Sequence, residues 1–194
     1  MFTHPSESYL IFQGRLTKAD GTPYANADEV ALTNNAIMLL FSRIEYHLLN
    51  QLTESLNYPG QTTTMLGLLK CPDDFSKAQN LNQLWYKDTS ITAAKADNNG
   101  FAARHAYLIQ SPTVKGTFSF RIPMKHIFEF CDDYDKIVNE LKHSLTLVRK
   151  TDDDAIFRGA SAGAEKVSVD KISWFMPHVI PADAEKFSIY KTIE

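Results

Sequence analysis

Residues 114–150, VKGTFSFRIPMKHIFEFCDDYDKIVNELKHSLTLVRK, read as strand, abrupt corner, short helix, acidic turn and returning strand. Val114, Gly116, Phe118, Phe120 and Ile122 fall on one face of the first strand. Lys115, Thr117, Ser119 and Arg121 fall on the other. A strict period of two is what a sheet needs when one side is buried and the other wet. Pro123 has no amide hydrogen to donate and stops the ladder. Met124, Ile127, Phe128 and Cys131 then follow at helical spacing, enough for about two turns of a corner helix. Asp132, Asp133 and Asp135 solvate the turn, and Leu141, Leu145 and Leu147 resume the period of two.

Working outward, residues 43–48 alternate in the same way, with Ile44, Tyr46 and Leu48 inward and Arg43, Glu45 and His47 outward. Residues 9–16 give a first strand with Leu10, Phe12 and Leu16 on one face and Gly14 breaking it. Residues 101–109 show alternation through Phe101, Ala103, Tyr107 and Ile109 and read as a strand. Residues 167–176 change phase midway, from Val167 and Val169 to Ile172, Trp174 and Met176. A β-bulge near Asp170 and Lys171 reconciles the halves.

Helix is expected only in short pieces. Asn34 or Asn35 can cap one running to Phe41. Pro59-Gly60 reads as a turn, after which Thr62, Thr63 and Thr64 can cap a helix carrying Met65, Leu66, Leu68 and Leu69. Residues 76–86 carry a second stripe of Leu81, Leu84 and Trp85. The 183–194 tail fits helix or strand. Six to eight short strands with helices at corners and loops predict a mainly β chain, a jelly-roll β-sandwich with short helical insertions, in a single domain spanning residues 1–194.

Composition agrees with this and narrows the function. A chain of 194 residues buries roughly 70% of its unfolded surface. The net charge of −3 exerts no general pull on nucleic acid or anionic membrane. No apolar run approaches the ~18–20 residues of a membrane span, and no basic, apolar leader opens the chain. Cys71 and Cys131 lack the spacing of a disulfide framework or zinc site and read as free thiols in a reducing compartment.

No residue set reads as catalytic, cofactor-binding or metal-binding. None of His4, His47, His105, His126, His143 and His178 pairs with another at metal-ligand spacing, and His105 and His143 read as core histidines. The runs Asp132, Asp133, Asp135 and Asp152, Asp153, Asp154 lack the glycine and closing glutamate of a calcium loop and read as solvated turns. His126, Cys131 and Asp132 lack an orienting third group. GASAG at 159–163 lacks the lysine of a phosphate loop. The basic residues Lys142, Arg149, Lys150, Arg158 and Lys166 are scattered among acids and form no stripe for nucleic acid.

Four segments in order, TNNAIMLLFSRIEYHLL (33–49), GTFSFRIPMKHIFEFCDDYDKIV (116–138), LTLVRKTDDDAIFR (145–158) and KISWFMPHVIPADAEKFSIYK (171–191), together resemble the major capsid proteins of Polinton (Maverick) elements, virus-like self-synthesising DNA transposons. The resemblance runs from about residue 32 to 194 and is weakest over 53–100. It implies a double jelly roll, two eight-stranded sandwiches in tandem that assemble as pseudo-hexagonal trimers in a shell. This sequence has room for the first roll; the second would follow Glu194. A truncated copy or a host-retained single-roll derivative accounts for that.

The expected function is therefore that of a non-enzymatic structural capsid protein, virus-like, from a transposable element. It would act as a homo-oligomer, with trimer or hexamer favoured, and with a second jelly roll or other capsid proteins as further partners. Its place would be a virion or capsid-like particle within the cell, with no direct nucleic-acid or membrane contact. The rival expectation is a non-catalytic ligand- or protein-binding β-sandwich. A cupin-like metal enzyme would need two or three histidines converging inside the barrel.

Overall fold

Phe118, Phe120 and Ile122 lie on the buried face of β6 (Thr117–Pro123), with Ser119 and Arg121 exposed, as the period of two predicts. The computed structural model describes residues 2–70, 83–159, 163–183, 185–186 and 191. In it β6 pairs antiparallel with β2 (Tyr9–Lys18), which pairs in turn with β10 (Glu165–Phe175). A second sheet has the order β5 (Gln51–Asn57), β4 (Phe41–Leu48), β8 (His143–Arg149), again antiparallel. Two small sheets close the ends. One joins β11 (His178–Val179), β1 (Phe2–Thr3) and β7 (Val138–Asn139). The other pairs β3 (Val30–Leu32) with β9 (Ile156–Arg158).

The two larger sheets share one core. Leu10, Phe12, Leu16, Phe118 and Phe120 from one meet Phe41, Ile44 and Tyr46 from the other. Phe12 approaches Phe41 with ring centroids 6.0 Å apart, and Tyr46 meets the Trp174 ring edge-on at 6.0 Å. Such aromatic contacts add to the stabilisation already given by apolar burial. Strand residues outnumber helical ones among the described residues, and the architecture is a mainly β, antiparallel jelly-roll sandwich with helices as insertions.

The register of β10 against β2 shifts between Val169 and Lys171, which leaves Asp170 as the extra residue of the expected bulge. Gly14 does not break β2. It pairs with Val169 on one side and Phe118 on the other. A Cβ there would lie 2.1 Å from the Ser168 carbonyl oxygen and 2.8 Å from Phe118 Cζ, so only glycine admits this close approach.

The corner after β6 buries Met124, Ile127, Phe128 and Cys131 as expected, through a 3₁₀ turn at Met124–His126 and a short helix at Glu129–Asp133. The first amides of that helix, Glu129 and Phe130, donate to the Glu54 carboxylate from β5 at 3.1 and 2.9 Å.

Four expectations are corrected. Residues 101–109 are not a strand: they lie in a helix at Asn99–His105 that continues as one π turn through Ala106–Gln110. Its buried residues, Phe101, Arg104, His105, Leu108 and Ile109, recur at helical spacing, and the Asn98 side chain caps it by accepting from the Phe101 amide. Pro59-Gly60 is not a separate turn but the start of a helix at Pro59–Lys70. The threonines lie inside it, and the Thr62 and Thr63 hydroxyls donate back to the Tyr58 and Pro59 carbonyls. Asn35 precedes the helix Ala36–Leu39 in a left-handed conformation, φ 57°, without capping it through its side chain. Val114 is an exposed turn residue outside the strand. The helix expected at 76–86 lies mostly outside the described residues. In the tail Asp183, Glu185 and Lys186 are helical, and Phe187, Ile189, Tyr190 and Ile193 lie outside the described residues.

In chain order α1 is Ala36–Leu39, α2 is Pro59–Lys70, α3 is Asn99–His105 and α4 is Glu129–Asp133.

Candidate functional site

Among the described residues the types with reactive chemistry are spread through the fold, and most are taken up by structural contacts. His4 meets Asp135 at 2.9 Å, and His126 Nδ1 meets the Gln83 amide at 2.8 Å. His105 is wholly buried in α3, with Nε2 on the Asp28 carbonyl oxygen at 2.8 Å. Burial holds its pKa, and those of His126 and His143, below the ordinary imidazole range. His143 bridges Thr3 and Tyr46, while His178 is exposed on β11. Among the described residues no group of three or more His, Cys, Asp or Glu side chains could hold a metal.

The two acidic runs are likewise divided among partners. Asp132 pairs with Lys70 at 2.9 Å and Asp135 with His4. Asp152 holds Arg149 at 2.6 Å and the Val167 amide, Asp153 meets Arg158 and Asp154 meets Lys150. These contacts tie the 150–158 loop to its neighbours, so Asp152 is a structural connector as well as a turn residue. Cys131 is a free thiol, fully buried, its pKa pushed up to about 12 by desolvation. His126 contacts Gln83 and Asp132 contacts Lys70, and a thiol with so high a pKa is protonated at neutral pH. In GASAG the Gly159 amide donates to the Glu29 carbonyl oxygen at 2.8 Å, and residues 160–162 lie outside the described residues.

Sequence reading missed the fully buried Arg104. It donates to the Leu32 carbonyl (2.9 Å), Asn34 Oδ1 (2.9 Å), the Tyr86 carbonyl (3.1 Å) and Asp88 Oδ1 (2.8 Å). A guanidinium that joins the end of β3 and Asn34 to Tyr86 and Asp88, and sits 5.9 Å from the centroid of the Phe157 ring of β9, fixes the 83–105 insertion to the sandwich. Spacing of i, i+3, i+4 around Phe101 was its only sequence signal.

What the surface offers is apolar area at the rims. The C-terminal turns of α2 leave the body: Pro59, Gly60 and Thr63 are buried, whereas Met65, Leu68 and Leu69 share an exposed face, Leu69 being 84% exposed. Leu49 and Leu52 are exposed at the β4–β5 turn, Ile91 in the preceding loop of α3, and Ile180, 93% exposed, beyond β11. On the edge strand β10, Arg149 and Asp152 occupy the outward carbonyl and amide of Val167, and the bulge follows at Asp170. That half of the edge is closed to strand addition. Ile172 and Phe175 remain exposed on the other half.

Two clefts carry charged side chains in a mixed lining. One of about 360 Å³ lies among Lys18, Asp20, Asp28, Glu29 and Glu165. Within it Lys18 pairs with Asp28 at 2.7 Å, and Glu165 with Arg158 at 3.0 Å. The other, about 240 Å³, lies among Ser6, Glu7, Tyr9, Arg121 and Lys125. Beside it the Arg121 guanidinium sits 4.0 Å from the centroid of Tyr9, whose ring stacks on Phe175 at 5.1 Å.

A family model described as a double jelly roll-like domain matches residues 30–194. No curated protein and no solved structure matches the chain. The match takes in both larger sheets apart from β2, the corner between β6 and β8, and every rim residue named above. On that extent, and on the antiparallel sandwich it coincides with, the chain belongs to the double jelly roll-like domain family.

Proposed function

We propose that this chain is a capsid-like structural protein that self-associates through the loops and edges of its jelly roll, and that it comes from a virus-like DNA transposon of the Polinton (Maverick) type or a host-retained copy. The observation that carries the reading is where the exposed apolar side chains sit. Many of them lie on α2, at the β4–β5 turn, on the β10 edge and beyond β11, while the two clefts described above have mixed polar and apolar linings. Rim patches of this kind are characteristic of surfaces buried between subunits. Membership of a double jelly roll-like family is compatible with a capsid role.

In this reading the protein works without catalysis, as a trimer or hexamer, in a capsid-like particle inside the cell, with a second jelly roll or other capsid proteins as further partners. Closed symmetric assembly is the usual outcome when every copy presents the same surface. Light scattering behind size exclusion, across a concentration series, tests it: trimers or hexamers are expected, and a strict monomer at high micromolar concentration tells against self-association. Metal analysis and assays on ester, peptide and phosphoester substrates test the non-catalytic part, which stoichiometric zinc or iron would overturn.

The Arg121–Tyr9–Phe175 column beside its cleft favours a second reading, a ligand-binding sandwich. A monomer whose Tyr9 and Phe175 resonances shift on screening a small-ligand library would favour that reading over assembly.

A further inference from the structure

We propose that His143 is a pH-sensitive latch that holds the N-terminal strand β1 on the sandwich and lets it go on acidification. The hydrogen-bond chain around this side chain has a single consistent direction. The Thr3 hydroxyl donates to the Val138 carbonyl at 3.1 Å, so its oxygen accepts from His143 Nε2–H at 2.8 Å. Nδ1 is then the bare nitrogen and accepts the Tyr46 hydroxyl proton at 2.6 Å. One neutral imidazole thereby joins β1, β4, β7 and β8.

The surroundings of the ring make that neutrality a condition of closure. Among the described residues the titratable groups that act on it are Tyr46 from β4, itself influenced by the Cys131 thiol, and His178 from β11, which disfavours a positive charge on His143. Thr3 from β1 and Trp174 from β10, the latter edge-on at 6.0 Å, do not ionise in this range. Among the described residues, the hydrogen bonds and ring contacts of the imidazole are with Thr3, Tyr46 and Trp174.

A proton added at Nδ1 turns that nitrogen from acceptor to donor. The Tyr46 oxygen must then accept, and its own proton loses the Nδ1 lone pair that received it, on a side chain otherwise surrounded by the rings of Phe128, Phe130 and Trp174. A charge held in this half-buried site is also poorly solvated. Lifting β1, whose Thr3 covers Nε2, admits water to the ring and relieves both. The strand is short: it has two residue pairs on each side, with β11 and β7, the His4 amide on the Pro177 carbonyl, the buried Phe2 and Thr3 side chains, and the His4–Asp135 contact just beyond it.

Amide exchange followed by NMR, corrected for intrinsic rates, tests the latch on the whole chain between about pH 7.5 and pH 5. The probes are the amides of His4, Val138, Asn139, His178 and Val179, with Phe12 and Ile44 as core references. With one proton taken up on opening, protection at the probes falls about tenfold per pH unit below the transition, while the core amides lag behind. The ring ¹⁵N shifts report protonated Nε2 and bare Nδ1 at neutral pH, converting as the probes open. His143→Gln keeps one donor and one acceptor without a titration, and holds β1 closed at both pH values. If the probes and core lose protection together, if the probes stay closed while the ring protonates, or if the opposite tautomer is found at neutral pH, the latch is wrong. Should His143→Gln fail to fold, the ring shifts and probe exchange of the unaltered protein decide the matter.

Discussion

Phe118 and Phe120 stack at 5.0 Å on the inner face of β6, and Phe118 also closes over Gly14. Truncating either to alanine removes a buried ring and leaves a void that a three-stranded sheet cannot collapse into. The expected loss is about 3–5 kcal/mol in denaturant melts, and a loss below about 1 kcal/mol would show that these rings are not core. Arg104 stabilises by a different route. Its removal as Arg104→Ala takes the guanidinium donor from the Leu32 carbonyl and Asp88 Oδ1, and leaves the Tyr86 carbonyl and Asn34 Oδ1 with only the hydrogen bonds they exchange with each other's residue. Breaking a buried charged contact of this kind costs about 3–5 kcal/mol. Arg104→Lys keeps the charge but not the fork, so most of the loss should remain. Recovery of full stability by lysine would mean that charge, not the four-way geometry, is what holds the insertion.

Elements whose apolar residues followed one period without competition were legible in the sequence. The alternation at 43–48 became β4, that at 114–122 and 141–147 became β6 and β8 without Val114, Gly116 and Leu141, and the parity change at 167–176 located the bulge in β10, which ends before Met176. The segment 101–109 was illegible because its residues satisfy both periods: Phe101, Ala103, Tyr107 and Ile109 alternate, while the helical face runs through Arg104, a residue that sequence reading assigns to solvent. A tertiary partner, Asp88, decided the outcome. The rim surface on α2 was illegible for a related reason, since its leucines look like a core stripe until Pro59, rather than the threonines, is seen to start the helix. Gly14 shows the same dependence on partners. In sequence it looks like a strand breaker, and in the fold it is the site where β2 passes beneath the β10 bulge and the Phe118 ring. Gly14→Ala should therefore destabilise by about 1–3 kcal/mol, as overpacking does. Since the alanine has the better strand propensity, an unchanged or raised melting midpoint would show that the close approach is not tight.

At the scale of the molecule, burial has fixed the protonation states on which stability depends. His105, His126 and His143 are each held below the ordinary imidazole value of 6.5, in every case chiefly by desolvation. The unfolded chain therefore binds more protons than the folded one once the pH falls under about 6.5, and stability must decline with acidification from there. It is fully present above that value and is lost as the pH drops toward the folded values. The carboxylates act lower down. Asp28 is held below its usual 3.8 mainly by the hydrogen bond from Lys18, and Asp135 by that from His4. Their contribution persists above that range and is lost only as the pH falls through it. Acid unfolding should thus proceed in two stages, a histidine stage beginning near neutrality and a carboxylate stage below about pH 4. Urea midpoints measured at intervals from about pH 8 to pH 4 at constant ionic strength read both stages. The expected curve is flat above about pH 7 and descends from about pH 6.5. In His105→Gln, the imidazole with the most complete burial, the descent should become shallower even if the plateau is lower. A midpoint that holds constant from pH 8 to pH 5, or that rises over that span, would mean that these imidazoles are charged in the folded protein and that its core admits the charge.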